Sequence, residues 1–528
     1  MDTTQQHTLA TIAALHAEQR PDHVAIHCEG RRTTYATLHR ESNRAAHALC
    51  AQGVVRGSRV AYLGRESEHY YTIALACAKS ESVLVPVNWR LTAGEVDHIL
   101  RDSGADILFV EDEFLATAER VAADLDSLRT LVRLDAGDGP GAGFVKWKDG
   151  YPDRDLAPRG DRDTPVIQLY TSGTTGLPKG VVLAHRTFLA FTEEMRRHGE
   201  SWIDWRPDDV SLISFPGFHT AGMGWFMHSF TAGATNVIMR IFVSEEAVRL
   251  IEELGVTTTF VAPAMLQMML TEPGVGRHTF RSLRKVAYGA APISGALLEK
   301  CLETMGCEFA QIYASTETGS VAACLPPADH VPGSPLLASA GRACPGNELK
   351  IVDEEGRQLP AGQTGQVCVR TPSRMLEYWG LPDATAELVR GDWLLMGDAG
   401  YLDENGYLFL RDRVNDTIIV AGQNIYPAEL EKALGEHPAV ADVAVIGVPD
   451  ERWGEAVQAC VVLRPGQQAT PRDLMRSLAG RVADYKIPTR YVFADTVPRN
   501  PSGKLLRREL REAYRGGSAP AAGQRKGT

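Results

Sequence analysis

Apolar positions along the chain switch repeatedly between short continuous runs and a spacing of three to four residues. Residues 24–26 form the first run, and Tyr35, Leu38, Ala45, Ala46 and Leu49 then follow at helical spacing. Runs at 59–63, 83–87 and 107–110 read as buried strands, because each is too short for a helix and rich in branched or aromatic residues. Between them lie a mostly apolar helix over 70–78 and a second helix capped by Thr92, with Val96, Ile99 and Leu100 on its apolar face. Strands alternating with helices predict a parallel sheet covered by helices. We take residues 23–165 as one such unit. A second runs from 210 to 309, with strands expected at 210–215, 235–238, 258–262 and 286–288.

The rhythm then changes. Residues 340–412 hold short strands at 348–352, 365–370 and 407–410, separated by turns such as Glu355-Gly356 and Glu404-Asn405-Gly406. That pattern predicts a small β-barrel-like subdomain. Beyond Asp416, a helix over 427–434 and strands at 443–447 and 457–463 predict a separate α+β domain. Thr470-Pro-Arg-Asp473 marks a helix start there, with a hydroxyl cap, a proline at the first helical position and an acid at the third. The fold class expected is α/β: a large N-terminal domain of two parallel, helix-covered sheets plus the small subdomain, then a small mobile α+β domain. The boundaries expected are 1–412, a hinge at 413–416, a lid domain at 417–514 and a disordered polar tail at 515–528.

Composition narrows the function. The 528 residues exceed one compact core, and 44% hydrophobic with 23% charged residues is ordinary for a soluble globular protein. A net charge of −11 argues against a nucleic-acid partner, which demands a basic face. No basic-then-apolar leader and no apolar run long enough to span a bilayer is seen. Nine dispersed cysteines without a CxxC pair suit reduced thiols, so a cytoplasmic location is expected.

The densest chemistry lies in Tyr170-Thr-Ser-Gly-Thr-Thr-Gly-Leu-Pro-Lys-Gly180. Apolar runs at 166–170 and 181–183 flank it as strands. A Gly/Ser/Thr turn between strands leaves several backbone N–H groups free, and such a row suits phosphate oxygens. Hydroxyls of Thr171, Ser172, Thr174 and Thr175, the open backbone at Gly173 and Gly176, and the ammonium of Lys179 all add to it. The order is neither a Walker A loop nor a GxGxxG turn. An unliganded flexible hairpin is the plainer reading of such a composition.

Four other strings are compatible with one nucleotide site. Gly289-Ala290-Ala291-Pro292 follows a strand and is small enough for a flat ring to lie against it, while Tyr313 offers an aromatic face; a tight turn and a core tyrosine are the alternative. Thr316 and Glu317 pair a hydroxyl with a carboxylate, suiting a phosphate and a magnesium ion, or else a helix cap. Asp398, expected at a strand end, suits ribose hydroxyls, with Arg413 as a further donor or as its surface ion-pair partner. Lys504 sits on a Pro/Ser/Gly loop, where most lysines are simply solvated.

Together these strings resemble the adenylate-forming superfamily of acyl-CoA synthetases, adenylation domains and luciferases. Residues 414–431 and Ser42-Asn-Arg-Ala-Ala-His-Ala-Leu49 are similar to the same family, so the resemblance runs from about 10 to about 510. It implies ATP, Mg2+ and coenzyme A as cofactors and co-substrates. It implies that residues 171–179 wrap the β- and γ-phosphates, Thr316 contacts the α-phosphate, and Glu317 holds the metal. Ala290, Ala291 and Tyr313 then flank adenine, Asp398 and Arg413 hold the ribose, and Lys504 bridges the acid and the α-phosphate. Asn415 falls at the family's hinge, where Asp or Lys is usual; Ala421 and Ala314 replace the usual glycines.

The implied activity is a carboxylic acid–CoA ligase acting through acyl-AMP, in fatty or aromatic acid metabolism. An adenylating enzyme that serves an amine, a carrier-protein thiol or another nucleophile is the alternative, and a non-catalytic nucleotide-binding protein the remote one. His219 falls where the family lines its acid pocket. Phe218, Met223, Trp225, Ala264, Met265, Tyr288, Ser315 and Cys324 are expected walls, with Trp225 shortening the cavity toward a small, aromatic or medium-chain acid. A homodimer is left open.

Overall fold

The computed structural model describes residues 8–135, 143–157, 160–172, 178–291, 293–413, 416, 418–420, 423–425, 427–450, 454–479, 481–482, 486–499 and 505–514. By packing, the chain divides into two compact units: Met1–Leu349 with Val369–Leu395, and Lys350–Cys368 with Met396–Thr528. The division falls inside the small β subdomain, where the strand Trp393–Leu402 crosses it.

The first unit holds two large sheets. One has nine strands, in the order Arg342–Ala343, Ala323–Leu325, Glu308–Tyr313, Lys285–Gly289, Thr258–Val261, Val210–Ile213, Thr235–Ile238, Val24–Cys28 and Arg31–Thr34. Its six middle-to-late strands, from Glu308–Tyr313 to Val24–Cys28, run parallel. The strand at Val24–Cys28 was expected in the first sheet of the chain. It instead pairs with Thr235–Ile238, Ile26 opposite Asn236. Local pattern reports that a strand exists, whereas its partner is chosen by tertiary packing.

The other sheet has seven strands, in the order Glu377–Tyr378, Pro178–Ala184, Pro165–Ser172, Val83–Val87, Arg59–Leu63, Ile107–Val110 and Thr130–Arg133. The last five are parallel, and the first two are antiparallel additions at one edge. Val83–Val87 is buried at all five positions, which is why it reads as a continuous apolar run. The helix Ala93–Ser103 begins as expected, with Thr92 and Glu95 exchanging a capping box and the Glu95 carboxylate accepting from the Thr92 amide at 2.8 Å.

The small subdomain is a sheet of Glu348–Val352, Gly365–Arg370, Trp393–Leu402 and Val389–Arg390, with Leu408–Arg413 paired to Trp393–Leu402. In the C-terminal part, Val440–Asp450 and Gly454–Leu463 form a long antiparallel pair, with Arg490–Phe493 added parallel to the second strand. The helices Pro427–Gly435 and Pro471–Leu478 supply Leu430, Leu434, Leu474 and Leu478 to the core on one face of this sheet. The helix Arg507–Tyr514 supplies Leu510 to the other face. Thr470 caps its helix with Asp473 in a capping box, as the sequence predicts.

Seven of the nine cysteines are buried and none is in a disulfide. Among the described residues, no helix is long and apolar enough to cross a membrane.

Candidate active site

The phosphate-loop candidate is the tip of a hairpin. Pro165–Ser172 and Pro178–Ala184 pair antiparallel, with Tyr170 opposite Gly180, Thr171 opposite Lys179 and Ser172 opposite Pro178. The hairpin is fastened to the helix behind it: the Tyr170 hydroxyl donates to Asp102 at 2.6 Å, and His98 bonds the Pro178 carbonyl at 3.0 Å. Gly173, Thr174, Thr175 and Gly176 lie outside the described residues, as do Pro292, Asn415, Ala421 and Lys504 and the side chains of Ser172 and Arg413.

The nine-stranded sheet contributes at the carboxyl ends of its parallel strands, where open α/β sheets form their ligand crevices. Lys285–Gly289 ends where a Cβ on residue 289 would sit 2.5 Å from the Ile312 carbonyl oxygen, so only glycine lets the two neighbouring strands close. Ala290 follows with φ of 65°, a left-handed conformation that an alanine adopts only when its surroundings impose it. Ala290 and Ala291 are both exposed, so an aromatic ring can rest on them. Tyr313 ends the next strand and is buried.

The chain then makes a tight turn rather than a helix start. Ser315 and Thr318 exchange bonds between side chain and amide at 3.0 and 3.2 Å, and the Gly319 amide donates to the Thr316 carbonyl at 3.1 Å. Gly319 has φ of 72°, and its Cβ position lies 2.2 Å from the Ser373 carbonyl oxygen. The turn leaves Thr316 and Glu317 half-buried.

Glu317 is held by a residue the sequence did not single out. The Tyr378 hydroxyl donates to Glu317 Oε1 at 2.8 Å, and the Met375 amide donates to the Glu317 carbonyl at 2.9 Å. Tyr378 lies on Glu377–Tyr378, which pairs with the hairpin, Tyr378 opposite Val181. The Lys179 ammonium stands 5.3 Å from the centre of the Tyr378 ring. A cation, a phenol and a carboxylate drawn from both large sheets therefore converge. Burial, with the Glu317 charge beside it, raises the Tyr378 phenol above its ordinary range, so it stays protonated and donates. Sixty residues of separation left no local signal for this pairing.

His219 precedes the helix Thr220–Ala232 and is half-buried. Burial first, and Arg90 second, lower its imidazole to about 4, so it is neutral at pH 7. Phe218 packs edge-on against it at 4.6 Å. The segment is anchored by a second residue absent from the sequence reading: the Gly217 amide donates to Glu66 Oε1 at 2.6 Å. Burial raises that carboxyl to about 7.

The expected pocket walls separate into two sets. Met223, Trp225 and Cys324 share one core cluster with Phe260, whose ring lies 5.6 Å from that of Trp225. Tyr288 does not join them. It is fully buried in a different cluster with Val286 and Phe309, and its hydroxyl bonds His330 at 3.1 Å. Side chains alternate along a strand, so Ala287 faces the Trp225 side while Val286 and Tyr288 face away. Tyr288 is thus a core residue. Ala264 is exposed, Met265 packs against both clusters, and Ser315 is half-buried within its turn.

In the second unit, Asp398 lies within Trp393–Leu402 and not at a strand end; it stands opposite Arg413, beside a register shift at Ala399 and Gly400. Such a bulge re-aims neighbouring side chains. Within the first unit, a groove of about 510 Å³ lined by Arg206, Arg284, Glu308 and His330 opens at the amino ends of the strands, not at the carboxyl ends that carry Ala290 and Tyr313.

Comparison with known proteins identifies the family. Residues 14–379 match the family "AMP-binding enzyme", and residues 429–504 match "AMP-binding enzyme C-terminal domain". The chain is 57% identical over 516 residues to the fatty acid–[acyl-carrier-protein] ligase ScoC of Streptomyces coeruleorubidus, covering 98% of each. It is 37% identical over 507 residues to the indoleacetate–CoA ligase of Aromatoleum aromaticum, covering 94% of this chain and 96% of that one. Among solved structures, ATP-bound MatB from Rhodopseudomonas palustris superposes with a TM-score of 0.86 at 28% identity, over 96% of this chain and 99% of that one. The anthranilate CoA ligase AuaEII with anthranoyl-AMP gives 0.86 at 27%, over 97% and 98%. By sequence and by fold, this chain belongs to the AMP-binding enzymes, the adenylate-forming acid ligases.

Proposed function

We propose that the protein activates a fatty acid of medium length as its acyl-AMP and passes the acyl group to the thiol of an acyl carrier protein. The convergence of Lys179, Tyr378 and Glu317 carries the first half of this reading. The acceptor rests on the similarity to a carrier-protein ligase over nearly the whole chain, against CoA ligases at lower identity. Coenzyme A, expected from the family at large, is the second reading.

In the first step a carboxylate oxygen attacks the α-phosphorus, a C–O–P bond forms and pyrophosphate leaves. Two anions must approach, at a bare Coulomb cost of about 4 kcal/mol for unit charges 4 Å apart at an effective dielectric near 20. Each charge-assisted hydrogen bond offsets roughly 1.5–3 kcal/mol, so several donors are needed. Lys179, the loop amides of 173–177 and Lys504 are the proposed donors. Thr316 orients the α-phosphate; Ala290, Ala291 and Tyr313 bracket adenine; Asp398 and Arg413 take the ribose. Mg2+ prefers one or two carboxylates together with phosphate oxygens and water. Glu317, with one oxygen bonded to Tyr378, is the protein carboxylate proposed for Mg2+, which when bound neutralises phosphate charge. Neutral His219 forms an uncharged wall for the acid. In the second step the acceptor sulfur attacks the acyl carbon and AMP leaves, with 413–416 proposed as the hinge between the two steps.

A panel of carboxylic acids assayed for pyrophosphate release, with holo acyl carrier protein, with CoA and with neither, tests both halves. Acid-dependent release with an optimum at medium chain length and an acylated carrier protein in intact-mass spectra is expected. Faster thioester formation on CoA overturns the acceptor, and no acid-dependent release overturns the adenylation itself. Trp225→Ala should move the optimum toward longer acids; an unchanged profile removes Trp225 from the pocket.

A further inference from the structure

The charge of the chain is divided unevenly. Residues 464–528 hold fourteen lysines and arginines against five acids, a balance of +9, which leaves −20 for the 463 residues before them. Most of the cations described in this stretch are already neutralised. Lys486 pairs with Glu429 at 2.8 Å, Arg490 with Asp450 at 3.1 Å, Arg499 with Asp442 at 2.7 Å, Arg507 with Glu431 at 2.7 Å and Arg511 with Asp416 at 2.6 Å; Arg481 pairs with Glu436.

The helix Pro471–Leu478 differs. Leu474 and Leu478 bury its inner side, and Arg472, Met475 and Arg476 share the exposed one at i, i+3 and i+4. Arg472 has no ion pair among the described residues. The Arg476 side chain is 81% exposed, and its nearest acid, Asp473, is 4.0 Å away and already accepts from Thr470 at 2.6 and 2.9 Å. Met475 is 42% exposed between the two arginines. Phe493, also 42% exposed, follows Tyr491 by two residues on the edge strand and so leaves the sheet on the face that this helix covers. Exposed aromatic and methionine side chains, beside one arginine without an ion pair among the described residues and another paired only at 4.0 Å, suit a protein partner.

We propose that Arg472, Met475, Arg476 and Phe493 dock an acidic carrier protein, with the arginines meeting its carboxylates and Met475 and Phe493 meeting apolar residues beside them. This rests on the carrier protein being the thiol acceptor. A free small thiol such as CoA needs no such surface, whereas an acidic protein approaching a chain of net charge −11 needs a local reversal of sign. The face is too small for a membrane: a helix of eight residues with one exposed methionine lacks the apolar area that interfacial helices bury.

The test compares the wild type with Arg472→Glu/Arg476→Glu in the full chain. Acid-dependent ATP–pyrophosphate exchange and acyl transfer to free pantetheine should be unchanged. The kcat/KM for holo acyl carrier protein should fall about tenfold or more, and added NaCl should depress loading by the wild type but not by the variant. A carrier protein with its helix acids changed to lysine should restore loading by the variant. Unchanged carrier-protein kinetics overturn the docking surface, as does variant-sensitive binding to phosphatidylglycerol vesicles with loading intact. If the wild type acylates CoA and never the carrier protein, the acceptor reading itself falls, and the proposal with it. Should the charge reversal also reduce exchange, Met475→Ala/Phe493→Ala reports on the same face without altering charge.

Discussion

The two large sheets reach the same chemistry by different routes. The nine-stranded sheet works at the carboxyl ends of parallel strands, where backbone shape does most of the positioning: a glycine forced by a 2.5 Å approach, an alanine at φ 65°, and a turn locked by Ser315 and Thr318. The seven-stranded sheet works from an antiparallel edge, where Thr171, Lys179 and Tyr378 project side chains from a hairpin and its added strand. One holds a carboxylate, Glu317, on a locked turn. The other supplies the Lys179 ammonium and the Tyr378 phenol from paired antiparallel strands. The Tyr378–Glu317 bond is where the two meet.

Breaking this division gives graded outcomes. Lys504→Ala should lower acid-dependent ATP–pyrophosphate exchange by about a thousandfold while thioester formation from supplied acyl-AMP survives. Equal loss of both activities assigns that lysine to folding or to the second step. Glu317→Gln, on the nine-stranded side, should cost about a hundredfold in the same exchange and raise the magnesium concentration needed for half-maximal rate. Tyr378→Phe, on the seven-stranded side, should cost only about tenfold, the equivalent of one charge-assisted hydrogen bond, with the same shift in magnesium dependence. A Tyr378→Phe enzyme with unaltered magnesium dependence separates the two sheets functionally.

Acid should loosen the fold more gently. Burial lowers His39, His185, His219, His228 and His330 to about 4. A histidine with a depressed folded pKa takes up its proton more readily when unfolded, so stability falls as pH drops from 6.5 toward 4. Glu66, raised to about 7, acts in the opposite direction over much of that range, as one group against five. Thermal unfolding midpoints should therefore decrease steadily across this window; a flat profile contradicts the burial of these imidazoles.

Much of this was legible from residue order. The hairpin strands at 166–170 and 181–183, the caps at Thr92 and Thr470 and the alternation of strand and helix are all local signals, and each appears where expected. What escaped was non-local. Nothing near residues 24–26 reveals that their strand partner lies some 210 residues ahead. Tyr378 and Glu66 sit far in sequence from the residues they hold, so their roles exist only in the folded chain. Tyr288 was misassigned because it adjoins Gly289, although neighbours on a strand face opposite sides.

The burial of the cysteines has its own consequence for an enzyme that manufactures an acylating agent. Cys28, Cys77, Cys301 and Cys307 have thiols pushed up to about 12, and Cys460 to about 11, chiefly by loss of hydration. Thiols so held carry almost no nucleophilic anion at neutral pH. A mixed anhydride would find little nucleophilic sulfur among these five thiols.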